Sequence, residues 1–172
     1  MNIRPEQPNN YIAVEQLVKA AFENVEMSDQ TEHHLVQRIR QSDAYIPELS
    51  LVAQINKGEI IGHVLLSKIT IGSHTPSLAL APLSVAPEAQ GKGIGTELVE
   101  AALEAAQEQG YHSVVVLGDP AYYQRFGFLL ASDYHIYGPM QEMEPYLMIK
   151  PLKATILDET RGMVHYSKAF GL

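Results

Sequence analysis

No cysteine occurs among the 172 residues, which excludes a disulfide framework, a thiolate metal site and a cysteine nucleophile. No apolar stretch approaches the roughly 18 residues of a membrane span. The opening MNIRPEQPNN lacks the apolar core of a secretory signal, so a cytoplasmic location is expected. Positive charge is scarce, with 12 Lys and Arg against 20 Asp and Glu and a net charge of −8. A nucleic-acid surface needs clustered cations, so neither nucleic acid nor membrane is expected as a partner. The negative balance suits solubility, and it would also suit a cationic substrate. Low-complexity runs and solenoid-length repeats are missing too. What remains, 46% apolar and 19% charged residues, is the composition of one globular domain with a proper core.

The chain is organised around residues 81–97, APLSVAPEAQGKGIGTE, read as strand, turn and helix. Residues 78–85 are apolar or small, which predicts a strand buried on both faces, and Pro87 breaks it. Gln90-Gly91-Lys92-Gly93-Ile94-Gly95-Thr96 follows. From Ile94 the apolar positions Leu98, Ala102 and Ala105 recur at helical spacing up to Gln109, and Gly110 is placed to end that helix. Glycines here leave backbone N–H groups uncovered at a helix start, where the first donors lack internal partners and the dipole is positive. That combination suits a phosphate or pyrophosphate. The same glycines would also serve a tight turn alone.

Flanking residues narrow the choice. The spacing of a Walker loop is absent, and a dinucleotide fingerprint would need glycine where Thr96 stands. The stretch resembles the acyl-CoA pyrophosphate loop of the GNAT superfamily of N-acetyltransferases, [Q/R]-x-x-G-x-[G/A], through Gln90, Gly93 and Gly95. A second motif, Tyr123-Gln124-Arg125-Phe126-Gly127-Phe128 after Tyr122, looks like that family's Y-x-x-x-G-F. Gly118-Asp119-Pro120-Ala121-Tyr122-Tyr123 and the closing Val164-His165-Tyr166 resemble its bacterial YhbS-like branch.

Elsewhere, Ile3-Arg4 reads as an edge strand, and residues 11–22 as a helix capped by Asn9 or Asn10. Residues 31–40 read as a second helix, capped by Ser28 or Asp29, with Glu32 in its first turn. Residues 51–55 and 60–71 form a hairpin joined at Asn56-Lys57-Gly58-Glu59. The turn 72–77 leads into the central strand. Residues 113–117 predict a buried strand parallel to it. A short helix over 119–125 starts at Asp119 with Pro120 at its first position. Residues 128–131, 146–149 and 163–166 are candidate strands, while 132–145 reads as a loop. No pair among the seven histidines has ligand spacing with a supporting carboxylate, so no metal is expected. Ser84 lacks the flanking glycines of a hydrolase elbow.

The resemblance implies an α/β (α+β) fold for 1–172 as a single N-acetyltransferase domain. Its mixed central sheet would have six to seven strands, flanked by helices and splayed at the cofactor strand. It implies acetyl-CoA as co-substrate and direct transfer to a small-molecule or peptide amine in a ternary complex. Backbone of Leu83, Ser84 and Val85 would hold the pantetheine and an oxyanion. The turn Gln90, Gly91, Lys92, Gly93, Ile94, Gly95 and Thr96 would hold the pyrophosphate, and Tyr123 would protonate the leaving thiolate. At helical spacing Tyr122 pairs with Phe126, which assigns Tyr122 to the core and turns Tyr123 elsewhere. Glu32 would face the amine, or lie in solvent as a helix-start acid. A dinucleotide-dependent oxidoreductase and a non-catalytic acyl-CoA sensor or interaction module stay open as alternatives, as does a homodimer.

Overall fold

The computed structural model describes residues 1–73 and 75–172; His74, one of the seven histidines read for metal spacing, lies outside them. Among the described residues nine strands form the sheet: β1 (Asn2–Pro5), β2 (Ser50–Gln54), β3 (Ile60–Ile71), β4 (Thr75–Val85), β5 (Ser113–Leu117), β6 (Leu129–Leu130), β7 (Ile136–Tyr137), β8 (Leu147–Pro151) and β9 (Gly162–His165). Seven run as one path, β1-β2-β3-β4-β5-β8-β6, while β9 pairs with β3 and β7 with β9. The β4–β5 pair is parallel and its chain neighbours are antiparallel, as a helical crossover between β4 and β5 requires.

That crossover is α3 (Ile94–Glu108). Its buried stripe of Ile94, Leu98, Val99, Ala102, Leu103 and Ala106 packs on one face with Leu51, Val64, Leu66 and Leu80. On the other face α1 (Tyr11–Phe22) and α2 (Glu32–Arg40) bring Val14, Val18, Val36 and Ile39 against Val52 and Leu65. Strand alternation explains the division, since Val64 and Leu65 must face opposite ways. Burial of these side chains from both layers is what holds the sheet between its helices. Among the described residues no helix is long and apolar enough to cross a membrane.

Local expectations differ from the structure in four places. Strand β4 is buried on both faces only through Leu80; beyond it Ala81, Leu83 and Val85 are half-exposed, because β5 no longer covers them. Asn10 occupies the position before α1, but its side chain accepts from the Gln7 N–H at 2.9 Å and Arg4 at 3.0 Å instead of capping the helix. Thr31 precedes α2, and Asp29 accepts from its N–H at 3.0 Å. The stretch 132–145 is not all loop: Ile136–Tyr137 adds a short parallel strand beside β9.

Candidate active site

The site begins where β4 leaves β5. Leu78, Ala79 and Leu80 pair with Val114, Val115 and Val116, and the pairing stops there while β4 runs on to Val85. On its other side Val64 pairs with Leu83 and Leu66 with Leu80. Leu65 therefore faces two residues, Ala81 and Pro82, the geometry of a β-bulge, which bends a strand and ends local pairing. Pro82 also contributes no N–H donor to the ladder. Past the bulge β4 has a free edge toward β5.

The turn into α3 follows from its glycines. Gly91 and Gly93 lie at φ +76° and +84°, the left-handed region that glycine enters without steric cost. A Cβ added at either would meet nothing within 4 Å. Among the described residues no backbone N–H from Gly91 through Thr96 donates to another backbone group; the first that does is Glu97, to the Gly93 carbonyl at 3.1 Å. Six donors thus converge at the positive end of a 15-residue helix. All of these residues but Lys92 border a groove of about 400 Å³.

Leu83, Val85, Gln90, Gly91, Gly93, Ile94, Gly95 and Thr96 all line this groove, so most of the expected cofactor residues come together. Two do not. Lys92 is exposed and outside the lining, and the Ser84 side chain is 2% exposed on the opposite face of β4. Ser84 sits across from His63, and both Ser84 Oγ and His63 Nδ1 are buried without a hydrogen-bond partner. Gln90 acts as a brace, its Nε2 donating to the Val85 carbonyl at 3.0 Å.

Besides Ala89, two residues that sequence reasoning missed complete the wall, Tyr122 and Arg125. They belong to and follow α4 (Pro120–Tyr123), which starts at Asp119 with its Oδ1 accepting from the Ala121 N–H at 3.0 Å. Arg125 donates from Nε to the Tyr122 carbonyl at 3.0 Å, and its Cζ lies 4.6 Å from the Tyr122 ring centre. The Tyr122 hydroxyl is 3.1 Å from where a Gly95 Cβ would stand, so the groove is closed by a residue that demands a small neighbour at 95.

The two tyrosines differ from the helical-spacing expectation. Tyr122 does pack edge-on against Phe126, at 5.4 Å between ring centres, yet it is Tyr122 that reaches the groove. Tyr123 is 9% exposed, in edge contact with Phe128 at 5.6 Å, and burial raises its hydroxyl pKa above the ordinary value. After α4 the chain tightens into a 3-10 turn at Gln124–Phe126. The 100° step of a regular helix therefore does not carry through the motif.

A second cavity, of about 190 Å³, opens in the gap itself. Its walls include Tyr166, whose hydroxyl burial pushes up to about 12. Beyond it lies an outer cleft of about 440 Å³ between Met27, Leu117, Gly118, Asp119 and Tyr146. Glu32 lines neither. Ser28 Oγ donates to its carboxylate, and Leu35, one turn further along α2, is the residue that reaches the gap. Residues of the α1–α2 connection do border the outer cleft, through Met27.

A helix start with open N–H donors beside a splayed parallel strand pair is the arrangement of the GNAT acyltransferase fold. The acetyltransferase (GNAT) family model matches residues 12–128, and the chain belongs to that family. Over 171 residues it is 33% identical to the uncharacterized N-acetyltransferase YhbS of Escherichia coli K12, covering 99% of this chain and 98% of that protein. The crystal structure of E. coli YhbS in complex with CoA is similar at a TM-score of 0.91 and 30% identity, covering 99% of this chain and 92% of that one. A GNAT family acetyltransferase from Brucella melitensis, in complex with acetyl-CoA, gives 0.83 at 32% identity, over 98% and 97% of the two chains.

Proposed function

We propose that the protein transfers an acetyl group from acetyl-CoA directly to an amine held in the same complex. The observation that carries this reading is the run of six N–H groups, Gly91 to Thr96, with no backbone acceptor among the described residues, in which every residue but Lys92 lines the groove. Those donors hold the pyrophosphate, and the free edge of β4 at Leu83 and Val85 pairs with the pantetheine amides as an added strand would. The relatives with CoA and acetyl-CoA bound support the same donor.

The amine nitrogen attacks the thioester carbonyl, a β4 backbone N–H stabilises the oxyanion, and the C–S bond breaks. With no cysteine in the chain, no acyl-cysteine stage intervenes. The thiolate takes its proton from Tyr123, a transfer that burial makes harder by raising the hydroxyl pKa, and the amine gives its proton to water or a carboxylate. Glu32 remains the carboxylate proposed for the amine side, and Asp119 in the outer cleft is the structural alternative. A non-catalytic acyl-CoA-binding module is the second reading, favoured by the burial of Tyr123. Binding without turnover across a panel of amines would establish it.

Gly93→Val tests the anion site. Gly110, at the other end of α3, shares its constraints, with φ +86° and no neighbour within 4 Å of an added Cβ. Both valines carry left-handed strain of about 1–2 kcal/mol. Only Gly93→Val should weaken CoA, by about tenfold or more, as expected from losing a charge-assisted hydrogen bond. Equal affinities in the two folded variants would remove the reading. Tyr123→Phe should leave CoA affinity intact and slow single-turnover transfer about 10²-fold. If the rate holds and Tyr166→Phe slows it instead, the proton comes from Tyr166.

A further inference from the structure

Three large apolar or aromatic side chains stand in water around the outer cleft. Met27 is 90% exposed, Tyr146 47% and Leu117 45%, and with Gly118 and Asp119 they make up its lining. Single apolar residues scattered over a surface mean little, but such side chains grouped around a hollow mark a site for an apolar ligand. Leu117 ends β5, paired with Leu147, and the Tyr146 carbonyl accepts from the Gly118 N–H at 3.0 Å. Met27 belongs to the α1–α2 connection, where its neighbours Glu26, Ser28, Asp29 and Gln30 are polar. Leu117 also lines the cavity at the strand gap, so the two hollows adjoin. Every side chain of that inner cavity is apolar apart from the Tyr166 hydroxyl. Charge is just as sparse: Asp119 is the single charged residue lining either hollow. Its Oδ1 accepts from the Ala121 N–H at 3.0 Å, and its Oδ2 has no hydrogen-bond partner among the described residues.

We infer that the acceptor is a monoamine carried on an apolar body, an alkylamine or arylalkylamine, and neither a polyamine nor a polyhydroxylated amine. The inference rests on the acetyl-transfer reading above and names its second substrate. Asp119 meets the ammonium as it enters, and the neutral amine, the form able to attack, goes on past Leu117 toward the thioester. The carbon body then lies back over Leu117, Tyr146 and Met27. Removing those carbons from water is favourable, and a flexible thioether side chain such as that of Met27 adapts to bodies of different shape. One cationic nitrogen therefore has a partner. A second ammonium, or a row of hydroxyls, would lose water against apolar side chains and gain nothing in exchange.

Thiol release at saturating acetyl-CoA, measured on the full chain with ethylamine, butylamine, hexylamine and hexamethylenediamine, tests this. The three monoamines have nearly the same basicity, so their differences report burial of carbon. A fully buried methylene is worth about fourfold. At half that free energy in an open cleft, kcat/KM should still rise at least about tenfold from ethylamine to hexylamine. The diamine keeps the same carbons and adds a distant ammonium, and it should fall about tenfold below hexylamine. Met27→Ser, at an exposed position, should shrink the chain-length gain while acetyl-CoA affinity holds. Leu117→Thr, which suits a strand, should do the same and decides the placement if the serine variant is too mild. Asp119→Asn keeps the helix cap and should lower kcat/KM for all three monoamines alike, by about fivefold. Equal kcat/KM along the series, or a diamine as good as hexylamine, overturns the inference and leaves acetyl transfer standing. A gain that neither Met27→Ser nor Leu117→Thr alters overturns the placement. If acetyl-CoA binds and no amine releases thiol, the transfer reading falls and this inference with it.

Discussion

On the α3 side of the sheet, six consecutive backbone donors from Gly91 to Thr96 have no backbone acceptor. On the α1 side, Glu6 is 5% exposed and has both carboxylate oxygens engaged. Arg40 donates to them from Nη2 at 2.7 Å and Nε at 3.1 Å, and the Tyr45 hydroxyl adds a bond at 2.7 Å. Arg40 also stacks over Tyr11 at 3.9 Å and approaches Glu15 at 3.6 Å. The polar groups of one region are left open toward a groove, and those of the other are consumed inside the fold. Substitutions in the ionic cluster should therefore change stability and spare ligand binding, whereas those around the turn should do the reverse.

The largest expected effect is from Arg40→Met, which strands the Glu6 carboxylate beneath α1. Breaking a buried pair by removing one partner costs about 3–5 kcal/mol. Urea unfolding should show that loss, while the CoA affinity of the folded fraction stays within twofold. A stable Arg40→Met protein would mean that Glu6 takes up a proton or finds solvent. A matching fall in CoA affinity would break the separation of the two regions.

Acidification probes the same cluster more gently. Burial lowers the pKa of His63 to about 4, outweighing the nearby Glu6 carboxylate. The unfolded chain thus binds this proton near pH 6.5, before the folded one does, and stability falls from pH 6.5 down to about 4. The linked loss is roughly 3 kcal/mol. Burial pushes the Glu6 pKa up, but Arg40 and Tyr45 hold it below its ordinary value, so its contribution is lost at still lower pH. His63→Gln should flatten the Tm profile between pH 6.5 and 4 and leave the acid limb in place. An unchanged slope would assign the titration to another group.

The open region was the legible one. Its donors, glycines and helix start lie within residues 90–96, so spacing alone exposes them. The hairpin at residues 56–59 and the parallel β4–β5 pair were legible for the same local reason, as turn chemistry and a helix between two apolar runs. The ionic cluster joins Glu6 to Arg40 and Tyr45, 34 and 39 residues away, and no periodicity announces such a meeting. The two-residue strand β7 exists only because β9 arrives beside it. Within the site, the errors sit where regular geometry gives way. The bulge at Ala81 and Pro82 ends burial of β4 on both faces, and the 3-10 turn after Tyr123 changes which tyrosine meets the groove.

The smallest effect separates two cations at the turn. Lys92 is the basic residue inside the glycine motif, yet it lies outside the groove lining, whereas Arg125, 30 residues beyond the motif, is part of the wall. Arg125 is exposed, so its attraction for a phosphate is partly screened. Its position is nonetheless fixed by Nε bonding to the Tyr122 carbonyl and by stacking on the Tyr122 ring. The rest of its guanidinium is then presented without much further loss of side-chain freedom. Arg125→Gln should weaken CoA about fivefold at low salt, with the difference shrinking as salt rises. Lys92→Gln should change it less than twofold. Acetyl-pantetheine, which lacks the pyrophosphate, should bind both variants as it binds the unaltered protein. If Arg125→Gln weakens acetyl-pantetheine equally, Arg125 serves only to hold Tyr122 in place. A larger loss in Lys92→Gln than in Arg125→Gln would mean that the exposed lysine swings over the groove when the anion arrives.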